Sequence, residues 1–589
     1  MSRVVVGISA LDCESAVAIL VDGKVAWAAS EERFTRRKQQ AGFPHRSLEE
    51  GLRYASLSPK DVDAVAYSFL DARREGREQL RNFRASLADE LRASTPYSAR
   101  AYHVYRFARS TANGVLRLQP RYHRQLIDGL RVHQLEGKLT YVPHHLTHAA
   151  SCYRTSGRDR VLLVVMDGYG TGECSTIWLG EHGRMRQLAS IRSPHSLGNM
   201  YASATQALGF IPNRHEGKVL GLAAHGNPEP VRGKLLEHVR NTPGTYRIES
   251  MIHLEREARR FARELRREDV AAGFQSVLEE TGVAMVRHYV ERHETPFVAV
   301  AGGVMANVKF NQRIAEIPGV EDVWVFPAMA DAGTAWGAAL CDSGAAAASP
   351  AERLRDAYLG PDYSPQEIEQ ALRRQDLQPL AVDDLERTIA VLLTTGACVA
   401  RFDGRMEFGP RALGNRSILV RAIDPTTNDS LNKRLRRTEF MPFAPVTLWE
   451  HAQACYRNID RGRSSAEFMT MTFDCTDRMR EESPAAVHVD NTARPQLVRR
   501  DVQPSYHRIV EEYCRLTGIP TVINTSFNMH EEPIVCSPDD AVRAFLDGDL
   551  EFLALGPHLV ANPRAPFTSA ALKRLADETE NTAPSPCLS

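Results

Sequence analysis

The chain has 589 residues, 43% hydrophobic and 25% charged, the balance of a globular protein with room for about three or four folding units. Lys plus Arg and Asp plus Glu number 73 each, so the overall charge gives no reason to expect bulk nucleic-acid binding. No apolar run approaches the ~20 residues of a membrane span, and the opening Met1-Ser2-Arg3-Val4-Val5-Val6 reads as a strand, not a signal peptide; the expectation is a cytoplasmic protein with no membrane and no nucleic-acid partner. Ten cysteines without a Cys-x-x-Cys pair argue against a zinc knuckle, and most are expected to be buried thiols.

Residues 3–8 and 16–21 are apolar, β-rich runs, and Asp22-Gly23 joins the second to Lys24-Val25-Ala26-Trp27-Ala28 as a two-residue hairpin. Ser47 with Glu50 three residues on predicts a capping box for a helix running to about Ala55. From about Asp71 to Arg131 the pattern is helical and arginine-rich, with Arg73, Arg77, Arg84 and Arg109 among many, and reads as a solvated helical insertion. Residues 160–166 form a continuous apolar strand that ends in Asp167-Gly168-Tyr169-Gly170. Another buried strand, 297–301, runs into Gly302-Gly303, and Asp331 opens a further switch into a helix. The small, featureless run from Gly344 to Ser349 and the fresh helical pattern after Ser364-Pro365 put a domain boundary near 345–365, giving domains 1–350 and 351–589. The tail after about Pro563 is expected to be loosely held.

Three constellations carry chemistry. In Glu407-Phe408-Gly409-Pro410-Arg411-Ala412-Leu413-Gly414-Asn415-Arg416-Ser417, Arg411 and Arg416 flank glycines that let main-chain N–H groups approach the same anion, the chemistry of a phosphate site. The plainer alternative is a helix start with two solvated arginines. His144 and His148, four apart, project from one face of a helix and can close on one metal ion, or else cap a helix and fill a core. Asp167 and Asp331 each follow a strand-like segment, where an α/β sheet delivers carboxylates into its crevice, and would complete a mixed nitrogen and oxygen shell for a divalent transition metal. The run Gly302-Gly303-Val304-Met305-Ala306-Asn307 is a nucleotide hint whose alternative is close packing.

With these residues in view, the chain resembles the ATP-dependent O-carbamoyltransferases of antibiotic and nodulation-factor tailoring. The matching segments include Glu31-Glu32-Arg33-Phe34-Thr35-Arg36-Arg37-Lys38, His144-His145-Leu146-Thr147-His148, Asp167-Gly168-Tyr169-Gly170, Gly217-Lys218-Val219-Leu220-Gly221, Gly302-Gly303-Val304, Gly409-Pro410-Arg411, Pro442-Phe443-Ala444-Pro445, Arg494-Pro495-Gln496 and Asn524-Thr525-Ser526-Phe527-Asn528. The resemblance implies an α/β protein with an N-terminal actin-like ATPase fold, built of two ribonuclease-H-like halves, and a C-terminal α/β domain similar to the threonylcarbamoyl-adenylate synthases. It implies that the C-terminal domain joins carbamoyl phosphate to ATP, held with magnesium, leaving carbamoyl adenylate with release of pyrophosphate and phosphate. The N-terminal domain would then pass the carbamoyl group to a hydroxyl of a small secondary metabolite, as in antibiotic biosynthesis.

By the same resemblance, His144, His148, Asp167 and Asp331 hold a divalent metal, Fe(II), which grips the adenylate phosphate. Lys38 and Lys218 lie near the anionic intermediate or acceptor. Ser196, Gly198, Gly302, Gly303 and Asn307 wrap the adenylate, and Arg411, Arg416, Arg436 and Arg494 clamp the phosphates with Asn524 and Ser526 as neutral partners. A homodimer is compatible with this pattern. The chain departs from it where many relatives carry His-Asp before the second strand: Cys13-Glu14 stands there, leaving Cys13 or Glu14 to take the acceptor proton. Transfer to an amine or another acyl acceptor, a tRNA threonylcarbamoyl-type transferase and a nucleotide-binding scaffold without turnover are the competing functions; zero net charge counts against tRNA.

Overall fold

The computed structural model describes residues 2–11, 14–92, 104–105, 108–343, 351–436, 443–562, 564–565 and 571–573. Cys13, the small run after 343 and most of the tail lie outside them. The described chain falls into two compact units, one of residues 1–31 and 39–354, the other of residues 32–38 and 355–589.

The N-terminal unit is one strand pattern used twice. In its first half, β1 (Val4–Ser9), β2 (Ala16–Val21), β3 (Lys24–Ser30), β4 (Ala64–Tyr67) and β5 (Leu139–Tyr141) lie in the order β3-β2-β1-β4-β5. The second half repeats that order with β6 (Val161–Gly170), β7 (Glu173–Glu181), β8 (Arg184–Arg192) and the strands Phe297–Ala301 and Asp322–Val325. In both, the first three strands are antiparallel and the last two run parallel to the first. These are two ribonuclease-H-like halves, and together they make the actin-like ATPase fold.

The hairpin expected at Asp22-Gly23 forms, with both residues at positive φ, 51° and 78°. The capping box expected at Ser47 does not. That helix runs His45–Tyr54 from Pro44, without a side-chain cap of its own. Its first N–H groups instead meet Glu31, whose two oxygens accept from Arg46 at 3.1 Å and Ser47 at 2.8 Å, while the Ser47 hydroxyl is spent on the Ala29 carbonyl at 2.8 Å. A carboxylate distant in sequence does what a local hydroxyl was expected to do.

Two helices lie at the centre of this unit. His144–Thr155 packs on β6 and its neighbours, Thr334–Asp342 packs on β1, β2 and β4, and the two pack on each other. Gly337 permits this approach, since a Cβ there would come within 1.9 Å of the Thr147 carbonyl oxygen.

The C-terminal unit is built on an eight-stranded mixed sheet whose middle strands are Phe552–Leu555, Val399–Phe402, Arg416–Arg421 and Thr521–Ser526. The helices Leu385–Thr394 and Pro504–Thr517 bury their apolar sides against it through Leu392, Ile509, Tyr513 and Val399. The helix expected after Ser364-Pro365 runs Pro365–Arg374 with a full capping box between Ser364 and Glu367.

Residues 32–38, expected in the N-terminal domain, pack into this unit. Phe34 joins Met406, Ala412, Ile534 and Cys536. Arg33 donates to the Gly409 carbonyl at 2.8 Å, and Arg36 donates to the Ile534 and Pro533 carbonyls at 2.6 and 2.7 Å. A fragment of residues 355–589 would lack these three donors and the Phe34 ring, a loss of about 3 kcal/mol or more from the hydrogen bonds alone. It is expected to melt below the C-terminal transition of the whole chain, and a peptide of residues 32–38 added in trans should raise that melting point; a fragment as stable as the full chain would contradict this packing.

Candidate functional site

Three elements supply the four groups of a buried cluster in the N-terminal unit. His144 opens its helix and His148 follows one turn later, so both imidazoles point the same way. Asp167 sits where β6 slips out of register with β7, between Met166 and Gly170, and Asp331 begins the turn before the Thr334–Asp342 helix. Asp167 Oδ2 lies 3.3 Å from His144 Nε2 and 3.2 Å from His148 Nε2. Asp331 Oδ1 lies 3.5 and 3.8 Å from the same two nitrogens, which are 3.1 Å apart. One ligand atom from each residue falls within 4.8 Å of the other three.

The surroundings aim these atoms. His144 Nδ1 lies 3.2 Å from the Ser68 carbonyl and donates there, which turns Nε2 toward the cluster. Ser68 is itself held by Thr334, whose hydroxyl also bonds the Asp331 carbonyl at 2.6 Å. Both histidines are fully buried. Burial works against the charge of His144, but its bonds to Asp167 and Asp331 outweigh that and push its pKa up to about 10. Burial and the neighbouring Asp331 would likewise raise Asp167, and the two histidines pull it down to about 2 instead; Asp331 is lowered for the same reason. Two imidazole nitrogens and two carboxylate oxygens, desolvated and preoriented, are a donor set that fits a divalent transition metal.

Against this cluster lies a second group of expected residues. Ser196 caps the Leu197–Ala207 helix and donates to the Asp167 carbonyl at 3.0 Å. A Cβ on Gly198 would sit 3.1 Å from the Gly168 nitrogen, and one on Gly303 3.1 Å from Asp167 Oδ1. Gly302 has φ +104° and leaves no room for a Cβ, which would fall 2.1 Å from the Met166 carbonyl oxygen. Asn307 faces away, exchanging hydrogen bonds with Gln275 at 2.8 and 3.2 Å. Glu14 reaches the cluster's edge: its Oε2 accepts from the Ala332 N–H at 3.3 Å, next to Asp331. Cys13 lies outside the described residues. Lys218 is half-buried at the start of the Glu216–Ala223 helix, whereas Lys38 is exposed and belongs to the C-terminal unit.

In the C-terminal unit the loop 407–416 is fixed by side chains. Glu407 Oε1 accepts from the N–H groups of Leu413, Asn415 and Arg416 at 2.8, 2.9 and 3.1 Å. The loop carbonyls are held from outside: Ala412 by Asn524 at 3.2 Å, Leu413 by Gln496 at 2.7 Å and Gly414 by Arg401 at 2.7 Å. The two arginines of this run then part. Arg416 is fully buried, lies 3.6 Å over the Phe402 ring and gives its protons to the Asp403 and Asn415 carbonyls at 2.9 and 2.8 Å. Arg411 is half-buried and makes no hydrogen bond or ion pair among the described residues, and its Nε is sealed from solvent. Burial alone lowers its pKa, to about 10, so it remains a cation without a counter-charge. Arg494 and Ser526 are half-buried, and Arg436 is exposed at the end of the Thr427–Arg434 helix. Sequence reasoning missed Glu407 as the loop's organiser; its place two residues before Gly409 was the available signal.

Both units match known family models, one described as carbamoyltransferase N-terminus over residues 4–340 and one as carbamoyltransferase C-terminus over residues 390–562. A two-unit transferase of carbamoyl groups is the class these matches define. The chain belongs to the carbamoyltransferase family. It is similar to nodulation protein NolNO of Sinorhizobium fredii, 32% identical over 564 residues that cover 93% of this chain and 78% of the relative. It is also similar to nodulation protein NolO of Bradyrhizobium diazoefficiens, 34% identical over 71% of this chain and 78% of the relative. An uncharacterised protein of Synechocystis is 29% identical over 95% of this chain and 97% of its own length.

Without metal, the cluster's charges set a pH profile. His144, raised from 6.5 to about 10, contributes stability that is complete below about pH 6.5 and is lost as the pH climbs toward 10. Asp167, lowered from 3.8 to about 2, contributes stability present above about pH 3.8 and lost toward 2. The N-terminal transition of the metal-free protein should therefore melt highest between about pH 4 and 6.5 and fall steadily above that, as thermal melts across the range would show. Adding a divalent ion should flatten the alkaline decline, because the bound cation replaces the proton on His144.

Proposed function

We propose that this protein makes carbamoyl adenylate from carbamoyl phosphate and ATP in its C-terminal unit and transfers the carbamoyl group to a hydroxyl of a small natural product in its N-terminal unit. The observation that carries the reading is the convergence of His144, His148, Asp167 and Asp331 in a chain of the carbamoyltransferase family. The unpaired guanidinium of Arg411 supports the first step.

In the C-terminal unit, carbamoyl phosphate, ATP and one water give carbamoyl adenylate, pyrophosphate and phosphate. Arg411 neutralises the phosphates as charge shifts among them, on a loop too rigid to need reorganisation. Arg494 and Ser526 lie toward the nucleotide, while Arg416 and Asn524 serve the loop itself, the first through the Asp403 and Asn415 carbonyls and the second through that of Ala412. A magnesium ion accompanies the ATP.

In the N-terminal unit, the four-residue cluster would hold Fe(II). When bound, that ion supplies Lewis-acid charge to the adenylate phosphate. The adenylate would lie beside Asp167 along Ser196 and Gly303, while Gly198 and Gly302 let the main chain there pack closely on Gly168 and Met166. The acceptor oxygen attacks the carbamoyl carbon, the carbon–oxygen bond to phosphate breaks, and AMP leaves. Glu14, at the cluster's edge, takes the hydroxyl proton. Lys218 adds positive charge near the anionic intermediate.

Arg411→Ala is expected to cut carbamoyl-phosphate-dependent pyrophosphate release at least about 100-fold while leaving transfer from supplied carbamoyl adenylate within about 3-fold. Asp331→Asn should show the reverse. Equal loss of both half-reactions in either variant would refute this division of labour.

A further inference from the structure

Of the two histidines in the cluster, His144 is the one held from behind. Its Nδ1 donates to the Ser68 carbonyl at 3.2 Å, and the ring of the next residue, Phe69, lies 4.3 Å from the imidazole, so one bond and one ring fix how the imidazole is turned. His148 has no such support: its Nδ1 is buried and has no hydrogen-bond partner among the described residues. A metal-ligating histidine usually donates its outer nitrogen to a carbonyl or carboxylate, and that bond sets the direction of the inner one. The aim of the pair therefore depends on where Ser68 is.

Ser68 lies just past the end of β4, and two further bonds carry its position to a second ligand. Its Oγ is 2.9 Å from Thr334 Oγ1, and the Thr334 hydroxyl donates to the Asp331 carbonyl at 2.6 Å. Each hydroxyl has one proton to give. With the Thr334 proton spent on Asp331, the proton between the two hydroxyls comes from Ser68. The chain thus runs from His144 Nδ1 to the Ser68 carbonyl, and from the Ser68 hydroxyl through Thr334 to Asp331. Ser68 and Thr334 are both fully buried, so bulk water cannot replace a lost link.

We infer that Ser68 and Thr334 are positioning residues for the metal centre, a pair of buried hydroxyls that set His144 and Asp331 relative to each other. The assignment rests on the proposed metal site and deepens it, giving a share of the ion's affinity to two residues that are not its ligands. The two ligands begin separate elements, the His144–Thr155 helix and the turn before the Thr334–Asp342 helix. A metal takes its ligands only at set distances and angles, so slack between those elements is felt as lost affinity.

The test titrates Co(II) into the metal-free full chain and follows the visible absorption of the bound ion, which reports both its affinity and the geometry of its ligands. Thr334→Val keeps the shape of the side chain and removes the hydroxyl. It is expected to weaken Co(II) binding about 10- to 100-fold and to alter the absorption band, whereas Thr334→Ser should bind within about threefold of the wild type. Ser68→Ala should weaken binding by a similar factor, and the double variant Ser68→Ala/Thr334→Val should be no weaker than Thr334→Val, because the chain is broken only once. Wild-type affinity and spectrum in Thr334→Val, a Thr334→Ser protein as weak as Thr334→Val, or fully additive losses in the double variant would each overturn the inference. Should Thr334→Val fail to fold, Ser68→Ala and Thr334→Ser decide. A wild-type protein that binds no Co(II) would remove the metal site and the inference with it, whereas tight wild-type binding with unchanged variants would remove the inference alone.

Discussion

Two carboxylates cannot be held together in a nearly dry site unless positive charge sits among them, and this constraint organises the N-terminal unit. Asp167 and Asp331 have only 13% and 19% of their side-chain surface exposed, and the imidazoles between them have none. A proton on His144 can supply the charge, and so can a divalent cation, but neutral imidazoles cannot. The four groups come from the start of one helix, the turn before another and the slipped end of β6. Those two helices are also the ones packed on each other between the sheets. The charge cluster and the central packing are therefore assembled by the same contacts, and a change in one helix start is felt in both.

Much of this was legible because its periods are simple. The opening hairpin announced itself through an Asp-Gly pair between two apolar runs, and the i, i+4 spacing put His144 and His148 on one helical face. Asp167 was readable because a strand of continuous apolar residues ends on it. What could not be read were bonds between residues far apart in sequence. Ser47 and Glu50 have the spacing of a capping box, yet Glu31 reaches the helix start first, so the hydroxyl turns to Ala29. The motif at 31–38 could be matched to a family, but nothing in its composition told that Phe34 would be buried beside Met406 and Ile534. Glu75 is buried, though it sits in a helix whose arginines suggested only a solvated face.

The loop 407–416 shows the same limit at one residue type. Arg411 and Arg416 share a motif, a charge and glycine neighbours, and both fitted a phosphate clamp. Their partners separate them. Every proton that Arg416 places on Asp403 and Asn415 is withdrawn from any ligand, and Phe402 closes its face. It holds the loop in shape, as Glu407 does from inside and Asn524, Gln496 and Arg401 do from outside. Arg411 is what this scaffolding leaves over. A half-buried guanidinium whose Nε is sealed, with no anion among the described residues, raises the free energy of the site. An anion bound at Arg411 would return that cost, which is the part the proposed reaction gives to a phosphate. The N-terminal cluster is the opposite case, an excess of ligand atoms that a cation completes. One chain thus carries two incomplete charge balances of opposite sign, an unpaired cation at Arg411 in one unit and two carboxylates at Asp167 and Asp331 in the other.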